Sequence, residues 1–521
     1  MAYPNGSIPI TSNIGTTAST DTFPTHIDSL GLGGLMALDT LANRNLIPAQ
    51  RRKFGMQVSV SSDPTSSNNK VYILANLIMG GVDNDLSNNL NWIDYSTYIG
   101  ASPFEYNANG TGIQPIIGNN VSSGLNATIG GGYCNSALCD SSIVGGGSKN
   151  QSANCNSTIG GGYNNIVYGI NSSIFAGSSN KSFDNHSTIG GGQSNVVRGD
   201  NATIGGGWCN ITCNSNSVVG GGKSNFSTGI SSSILGGSSN QSVCTHSTVG
   251  GGGNNVNQGN YSVIGGGQFN GVSGNYSTVS GGKGNNASGT FATLSGGIYN
   301  KANGFYSAVG GGGRNKVYGN ISAIFAGSNN LISSDYSAIL AGSNNTVSGS
   351  TSFIGAGKCN IASGICSTIG GGFKNSSTSS HSTVSGGGYN VACGSYSSII
   401  GGYGNNSFGS ISTVGGGSQN VSNGAGSAIT GGQFNNALGE HSFVGGGFVN
   451  TATSNCSAIL GGQNNVTCAF IHAMIVGSDL TADRNCATFV NNLSIKNIPT
   501  SNVGLPSGSV WSSVGILCIV P

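Results

Sequence analysis

Beyond residue 126 the hydrophobic pattern has a period of 15 residues. One Ile or Val recurs on a grid that starts at Ala127 and whose last copy starts at Ser457, 23 copies without insertion or deletion. STIGGG at 157–162, SVIGGG at 262–267 and SAILGG at 457–462 all fall on it. With positions numbered 1 to 15 from Ala127, position 3 is Ile or Val except for Leu294, and position 1 is Ser in 20 copies and Ala in three. Position 5 is Gly or Ala, position 6 is always Gly and position 9 is always Asn. A lattice this strict predicts that each copy stacks on the next.

Side chains alternate along an extended strand, so positions 1, 3 and 5 are expected on one inward face. Gly at position 6 permits a turn with positive φ. Positions 9, 11 and 13 are expected to form a second short strand with Asn and small residues inward. Two strands and two turns make a flattened coil, and coils stacked at about 4.8 Å each give a rod of roughly 110 Å. Nothing repeats at 3.6 residues, and this much Gly is ruinous for a helix. The Asn column (Asn135, Asn165, Asn195, Asn300 and Asn465 among its members) is read as a structural ladder, bonding amide to amide along the axis or closing a turn on its own backbone. The Gly column from Gly132 through Gly162 to Gly462 is read as structural too.

Charge sharpens this picture. Every charged residue of the array lies at positions 7 to 14, none at 9 or 11, and positions 1 to 6 carry none in any copy. Each coil offers one Ile or Val and one small residue inward, little apolar area against the ordering of 15 residues. Lateral association is therefore expected, with a homotrimer favoured and the uncharged strand face available for close packing.

The pattern S-x-I-x-G-G-x-x-N-x-A-x-G-x-Y, as in YSVIGGGQFNGVSG at 261–274 and YSTVSGGKGNNASG at 276–289, resembles the head repeats of trimeric autotransporter adhesins. The likeness covers about two thirds of the chain and implies left-handed parallel β-rolls in a homotrimer. The flanks point elsewhere. The start, MAYPNGSIPITSN, has no basic and apolar secretion-signal pattern, and the end, IPTSNVGLPSGSVWSSVGILCIVP at 498–521, is too short for a barrel anchor. That ending looks like the C-terminal segment of phage and large-DNA-virus structural proteins. LDTLANRNLIPAQRRKFGMQVSVSSD at 38–63, KVYILANL at 70–77 and NLNWI at 89–93 look like a small N-terminal module of phage virion proteins.

Only 6% of the chain is charged and the net charge is +2, so nothing points to nucleic acid. Arg44, Arg51, Arg52, Lys53, Lys70, Asp83, Asp85 and Asp94 cluster near the start and, with Pro48, Pro64 and Pro103, mark a differently built module. No Pro occurs between Pro115 and Pro499, as an unbroken backbone ladder requires. No apolar run reaches the roughly 18 residues of a membrane span, so no membrane insertion is expected. The 13 Cys form no CxxC pair and are read mainly as free thiols of a reducing compartment, with adjacent-coil disulfides the alternative.

Catalysis finds little material. The only Glu are Glu105 and Glu440, and the array carboxylates Asp140, Asp184, Asp200, Asp335 and Glu440 are spread over its length. Four of the six His share position 15 with Tyr and Phe, which reads as a turn column. No enzyme, metal or cofactor is expected. Aromatics at positions 7, 8 and 15, such as Tyr133, Tyr163, Trp208, Tyr403 and Phe448, can either stack on sugars or shield coil edges. Trp208 and Trp511 are the host-contact candidates. Among about two dozen N-x-S/T sequons, position 9 is expected to be occupied structurally, whereas Asn260, Asn275 and Asn320 at position 14 are the glycosylation candidates.

The expected fold is all-β: a parallel β-roll or β-solenoid of 23 fifteen-residue coils in a trimeric fibre. Residues 1–115 form a docking module, 116–471 the shaft and 472–521 a cap or tip. The expected function is a non-enzymatic virion fibre, assembled in the host cytoplasm and exposed on the particle, that attaches to a host glycan or protein. Other virion proteins bind its N-terminal module. The alternatives are an extracellular filament or bacterial-type adhesin, and an ice-binding solenoid. The last is opposed by a position-2 Thr column interrupted by Phe353 and Phe443.

Overall fold

A computed structural model describes residues 104–520 except 108, 109, 495, 497, 514 and 515. Before them it describes Ala42, Pro64 and the strands Leu35–Leu38, Gln57–Val60, Val71–Leu74 and Trp92–Asp94. Those four strands form one sheet in chain order, the first pair parallel and the other two pairs antiparallel. Apart from Asp94, the charged cluster assigned to docking lies outside the described residues.

The rest is a parallel β-solenoid of about 25 turns with coils of roughly 15 residues. Each coil contributes a two-residue strand at positions 2–3 and another at positions 10–11. Thr128–Ile129 pairs in parallel with Ile143–Val144, and Ser136–Ala137 with Gln151–Ser152. This register holds, 15 residues at a time, to the last copy. A third ladder was not foreseen: position 7 forms parallel bridges from Tyr133 to Gln463. The axial bonding also turns twice per coil. Strand amides donate to the following coil, as Thr128 N–H does to the Ser142 carbonyl at 2.9 Å. Amides at positions 8 and 15 donate backwards, as Lys149 N–H does to the Tyr133 carbonyl at 2.9 Å.

Side chains at positions 1, 3, 9 and 11 point inward. The Ile/Val column and the small position-11 column form a continuous apolar seam from Ile129 to Val414, extended by a second cluster to Ile475. The single chain encloses that seam itself: Ile129, Ile234 and Ile354 are 0% exposed without any partner. No second chain is needed to cover the Ile/Val column, so the expectation of lateral association rests only on how little apolar area each coil buries. Position 5 is also corrected. The strand ends at position 3, position 5 is half-exposed, and a Cβ built on Gly131 or Gly281 meets nothing within 4 Å.

The coils outrun the recognisable repeat at both ends. Ile113–Pro115 and Val121–Ser122 pair onto the first copy, with Asn120 in the Asn place. Met474–Val476 and Thr488–Val490 continue the stack beyond residue 471. Phe104–Tyr106 lies antiparallel on Ile113–Pro115 and covers the first rung. An antiparallel hairpin, Val510–Ser513 with Ile516–Ile519, closes the chain.

The invariance of position 6 has a steric cause. Gly282 has φ +88°, and a Cβ there would lie 2.2 Å from the Gly297 carbonyl oxygen and 2.6 Å from Asn285 Nδ2. Its neighbour Gly281 has open space at the same test. Gly282→Ala should cost at least about 1 kcal/mol and lower the melting temperature, whereas Gly281→Ala should leave it unchanged or slightly raised. Equal melting curves for the two variants would refute the turn assignment.

Candidate functional site

The most chemically elaborate feature is the corner between the position-6 Gly and the position-9 Asn. Asn300 Nδ2 donates to the Gly296 carbonyl of its own coil at 2.9 Å and to the Gly312 carbonyl of the next at 3.0 Å. Its Oδ1 accepts the backbone N–H of Asn315 at 2.9 Å. Asn135 makes the same three bonds, to Gly131, Gly147 and Asn150. So do Asn165, with Gly161, Gly177 and Asn180, and Asn195, with Gly191, Gly207 and Asn210. Asn465 completes the series near the end, where Oδ1 accepts from Leu480 N–H at 3.0 Å. Direct amide-to-amide bonds occur only in places, as from Asn165 to Asn150 Oδ1 at 3.1 Å. The column thus works chiefly by satisfying backbone groups where the strands stop. Gly132, Gly162 and Gly462 each have positive φ and place their carbonyls under an Asn amide.

A second polar seam lies opposite. In many copies the position-1 Ser hydroxyl donates to the position-13 carbonyl of the preceding coil, as Ser232 Oγ does to Gly229 at 2.7 Å, and in others to that of its own coil, as Ser172 Oγ does to Asp184 at 2.8 Å. Where position 11 is also Ser, the two hydroxyls bond across the interior, as Ser227 and Ser232 do at 2.7 Å. Ser142, Ser307, Ser397 and Ser442 Oγ are buried without a partner.

Two columns were not foreseen in the sequence. Position 8 has positive φ in every copy and position 15 in all but the last. Left-handed backbone ordinarily selects Gly or Asn, yet Tyr261 (φ 54°), Ile411 (φ 58°) and Val449 (φ 54°) adopt it. The backward hydrogen bonds of these amides hold the conformation; Asn alone would have been the visible signal.

The position-15 aromatics stack on one another. His246, Tyr261, Tyr276, Phe291 and Tyr306 form one run, with neighbouring ring centroids 4.6–5.2 Å apart and planes within 5–11°. Strand spacing sets this separation. The rings cover each other's faces and present edges, so this column is not a set of flat platforms for sugars. His381 stacks on Tyr396 in the same way, which makes it a turn side chain. At position 7, Trp208 is 45% exposed with Lys223 Nζ 4.4 Å from its ring centre, a cation–π contact. Trp511 is half-buried in the C-terminal hairpin, opposite Cys518, and its indole N–H is buried without a partner. The two candidate Trp are on separate elements, and the structure does not gather them into one surface.

The position-14 Asn have structural work of their own. Asn260 Oδ1 accepts Thr245 N–H at 3.2 Å, Asn275 Oδ1 accepts Asn260 N–H at 3.0 Å, and Asn320 Oδ1 accepts Phe305 N–H at 2.8 Å. Asn275 and Asn320 remain exposed and Asn260 is half-exposed, whereas the position-9 sequon Asn240 is fully buried.

The thiol reading is corrected at one place: Cys139 and Cys155, on adjacent coils, form a disulfide, while the other eleven Cys are free. Among the described residues no group of three His, Cys, Asp or Glu is placed to hold a metal, and no helix is long and apolar enough to cross a membrane. Asp184 and Asp200 lie on consecutive coils. Burial first, and the Asp200 charge one coil on second, raise the Asp184 carboxyl above its ordinary value of 3.8.

Two outcomes follow from this geometry. Asn300→Ala should strip the Asn315 N–H of its acceptor and cost about 1–3 kcal/mol, while Lys301→Ala should cost little, since that exposed side chain lies beside Lys316. Equal melting points would contradict the assignment. For Asp184, a raised folded pKa means the native state is penalised above that pKa and not below the unfolded value. Asp184→Asn should therefore raise the melting temperature at pH 7 and make no difference near about pH 3; a benefit that persists in acid would show another cause.

No protein-family model and no curated protein matches this chain.

Proposed function

We propose that the protein is a non-enzymatic structural fibre of a virion, a homotrimer that projects from the particle and carries a host-contacting surface away from it. One observation supports this above the others: hydrogen bonds run along the axis through about 25 coils without a break. At about 4.8 Å per coil such a stack is a rod of roughly 120 Å. A rod with the same columns at every level spans distance, and partner-specific surface falls to its ends. The N-terminal segments, by their likeness to virion modules, are the docking end. Other virion proteins are its partners there, and a host glycan or protein is the partner at the far end.

Phe104–Tyr106 favours this reading over end-to-end polymerisation, because it caps the edge that an adjoining rod would otherwise extend.

The test is deletion of residues 1–100, followed by electron microscopy of purified particles and circular dichroism of the isolated chain. The rod should fold and be missing from the particle. Particles that still carry it would place docking elsewhere, in the segment around Trp511, and loss of β structure would show that the module is part of the rod's fold.

A further inference from the structure

We infer that the outward face of positions 2, 4 and 5 is the surface through which copies of this chain pack side by side, like coil against like coil. The inference rests on the trimer reading and adds to it the face that is used.

Exposed apolar side chains point to this face. Phe175, Leu235, Phe325, Leu340, Ile400 and Leu460, all at position 4, are 44–63% exposed. They stand on the one side of the coil that carries no charge at any of its 23 levels. Exposed apolar residues also occur on the other sheet, such as Tyr318 and Phe408, but there they share the surface with Lys181, Arg198, Lys301 and Lys316. An uncharged strip of this length, with large apolar groups on it, is what an interface core requires and what a free surface avoids.

Position 5 adds an independent constraint. It is Gly in 19 copies and Ala in four. At Gly251 and Gly446 the backbone itself favours Gly, with φ 159° and 151°, but at other copies nothing within the chain explains the restriction. A Cβ built on Gly206, Gly221, Gly281 or Gly386 meets no atom within 4 Å, and their φ lies outside the left-handed region. Position 6 next to it is restricted from within the chain, by its own coil and the next; where position 5 has open space, its restriction comes from outside the chain. A backbone or side chain from a neighbour, packed close against the strip, would impose that limit.

The occupant must match a strip that repeats every 15 residues over the whole shaft. A second copy of this chain has that period, that length and the same lack of charge. A strip roughly 110 Å long and about 10 Å wide offers about 1,100 Å² per chain, shared in a trimer between two neighbours, so the three strips together bury about 3,300 Å², the scale of a permanent assembly.

The experiment places Glu on this face without touching the coil interior. The triple variant Gly221→Glu, Gly281→Glu and Gly386→Glu is compared with the full-length parent by sedimentation and circular dichroism. A control carries Ser288→Glu, Ser348→Glu and Ser363→Glu at position 12 of the opposite sheet. The parent and control should sediment as a trimer of the 51.7 kDa chain, and the face variant as a folded monomer. A parent trimer that survives the Gly→Glu changes overturns the face and leaves the trimer standing; a monomeric parent overturns both. Should the triple variant not fold, Phe325→Ser with Leu340→Ser serves in its place. That pair should raise the dissociation constant at least ten-fold, and an unchanged constant would equally overturn the face.

Discussion

The structure depends on a hydrogen bond that runs along the axis rather than around the coil. Each strand of the repeat is two residues long, far too short to stand as an independent sheet, and gains its place only by pairing with its copies above and below. Corners are the weak points of such a stack, because strand pairing stops there and buried backbone groups lose their partners. The Asn column solves this at one corner. A single planar amide donates twice and accepts once, all to backbone groups on its own and adjacent coils. The position-1 Ser column does a similar task at the other. The invariant Gly then follows from the Asn, since a Cβ on Gly282 would collide with both the neighbouring carbonyl and the Asn285 amide.

This arrangement explains why so little hydrophobic area suffices to define the fold. The inner seam is one Ile or Val per coil and, across from it, a residue as small as Ala or Ser. Specificity comes from polar groups with no alternative partners, each worth more for the cost of leaving it unmade than for its net strength. Because every rung has the same composition, stability is close to a sum over neighbouring rungs. The outer positions are then free to vary, and they hold nearly everything that differs from coil to coil: aromatic stacks, charges, sequons and the Cys139–Cys155 link.

The period of 15, the inward Ile/Val, the Gly turn and the structural Asn were all readable from the sequence, because each occupies a column with one residue type. What escaped reading lacked that uniformity. The left-handed turns at positions 8 and 15 hold Tyr, His, Lys, Ile and Cys as well as Asn, so no residue preference betrays them. The coil at 112–126 was hidden by Gln114 in the Ile/Val place and Ile117 in the Gly place, although Asn120 still bonds along the axis, with its bond inside the coil moved to the Ile117 carbonyl. Cys139 and Cys155 differ by one position on the grid, so no single column marks them as a pair. Asp184 and Asp200 are 16 residues apart and were read as scattered, yet they fall on consecutive coils and the Asp200 charge adds to burial in raising the Asp184 carboxyl. The host-contact surface was the least legible part. Trp208 and Trp511 were singled out by type alone, and the geometry gives the one a lysine and the other a half-buried hairpin setting.

Native-state hydrogen exchange on the intact protein tests the axial ladder most directly, read at the backbone amides of the position-9 Asn, whose acceptor is an Asn side chain on the preceding coil. These amides should exchange as slowly as strand amides such as those of Thr293 and Lys301, and in one cooperative unit with them along the shaft. Exchange at the rate of an unstructured peptide at position 9, with the strands still protected, would show that the Asn column does not hold the corners and that the account of the fold is wrong.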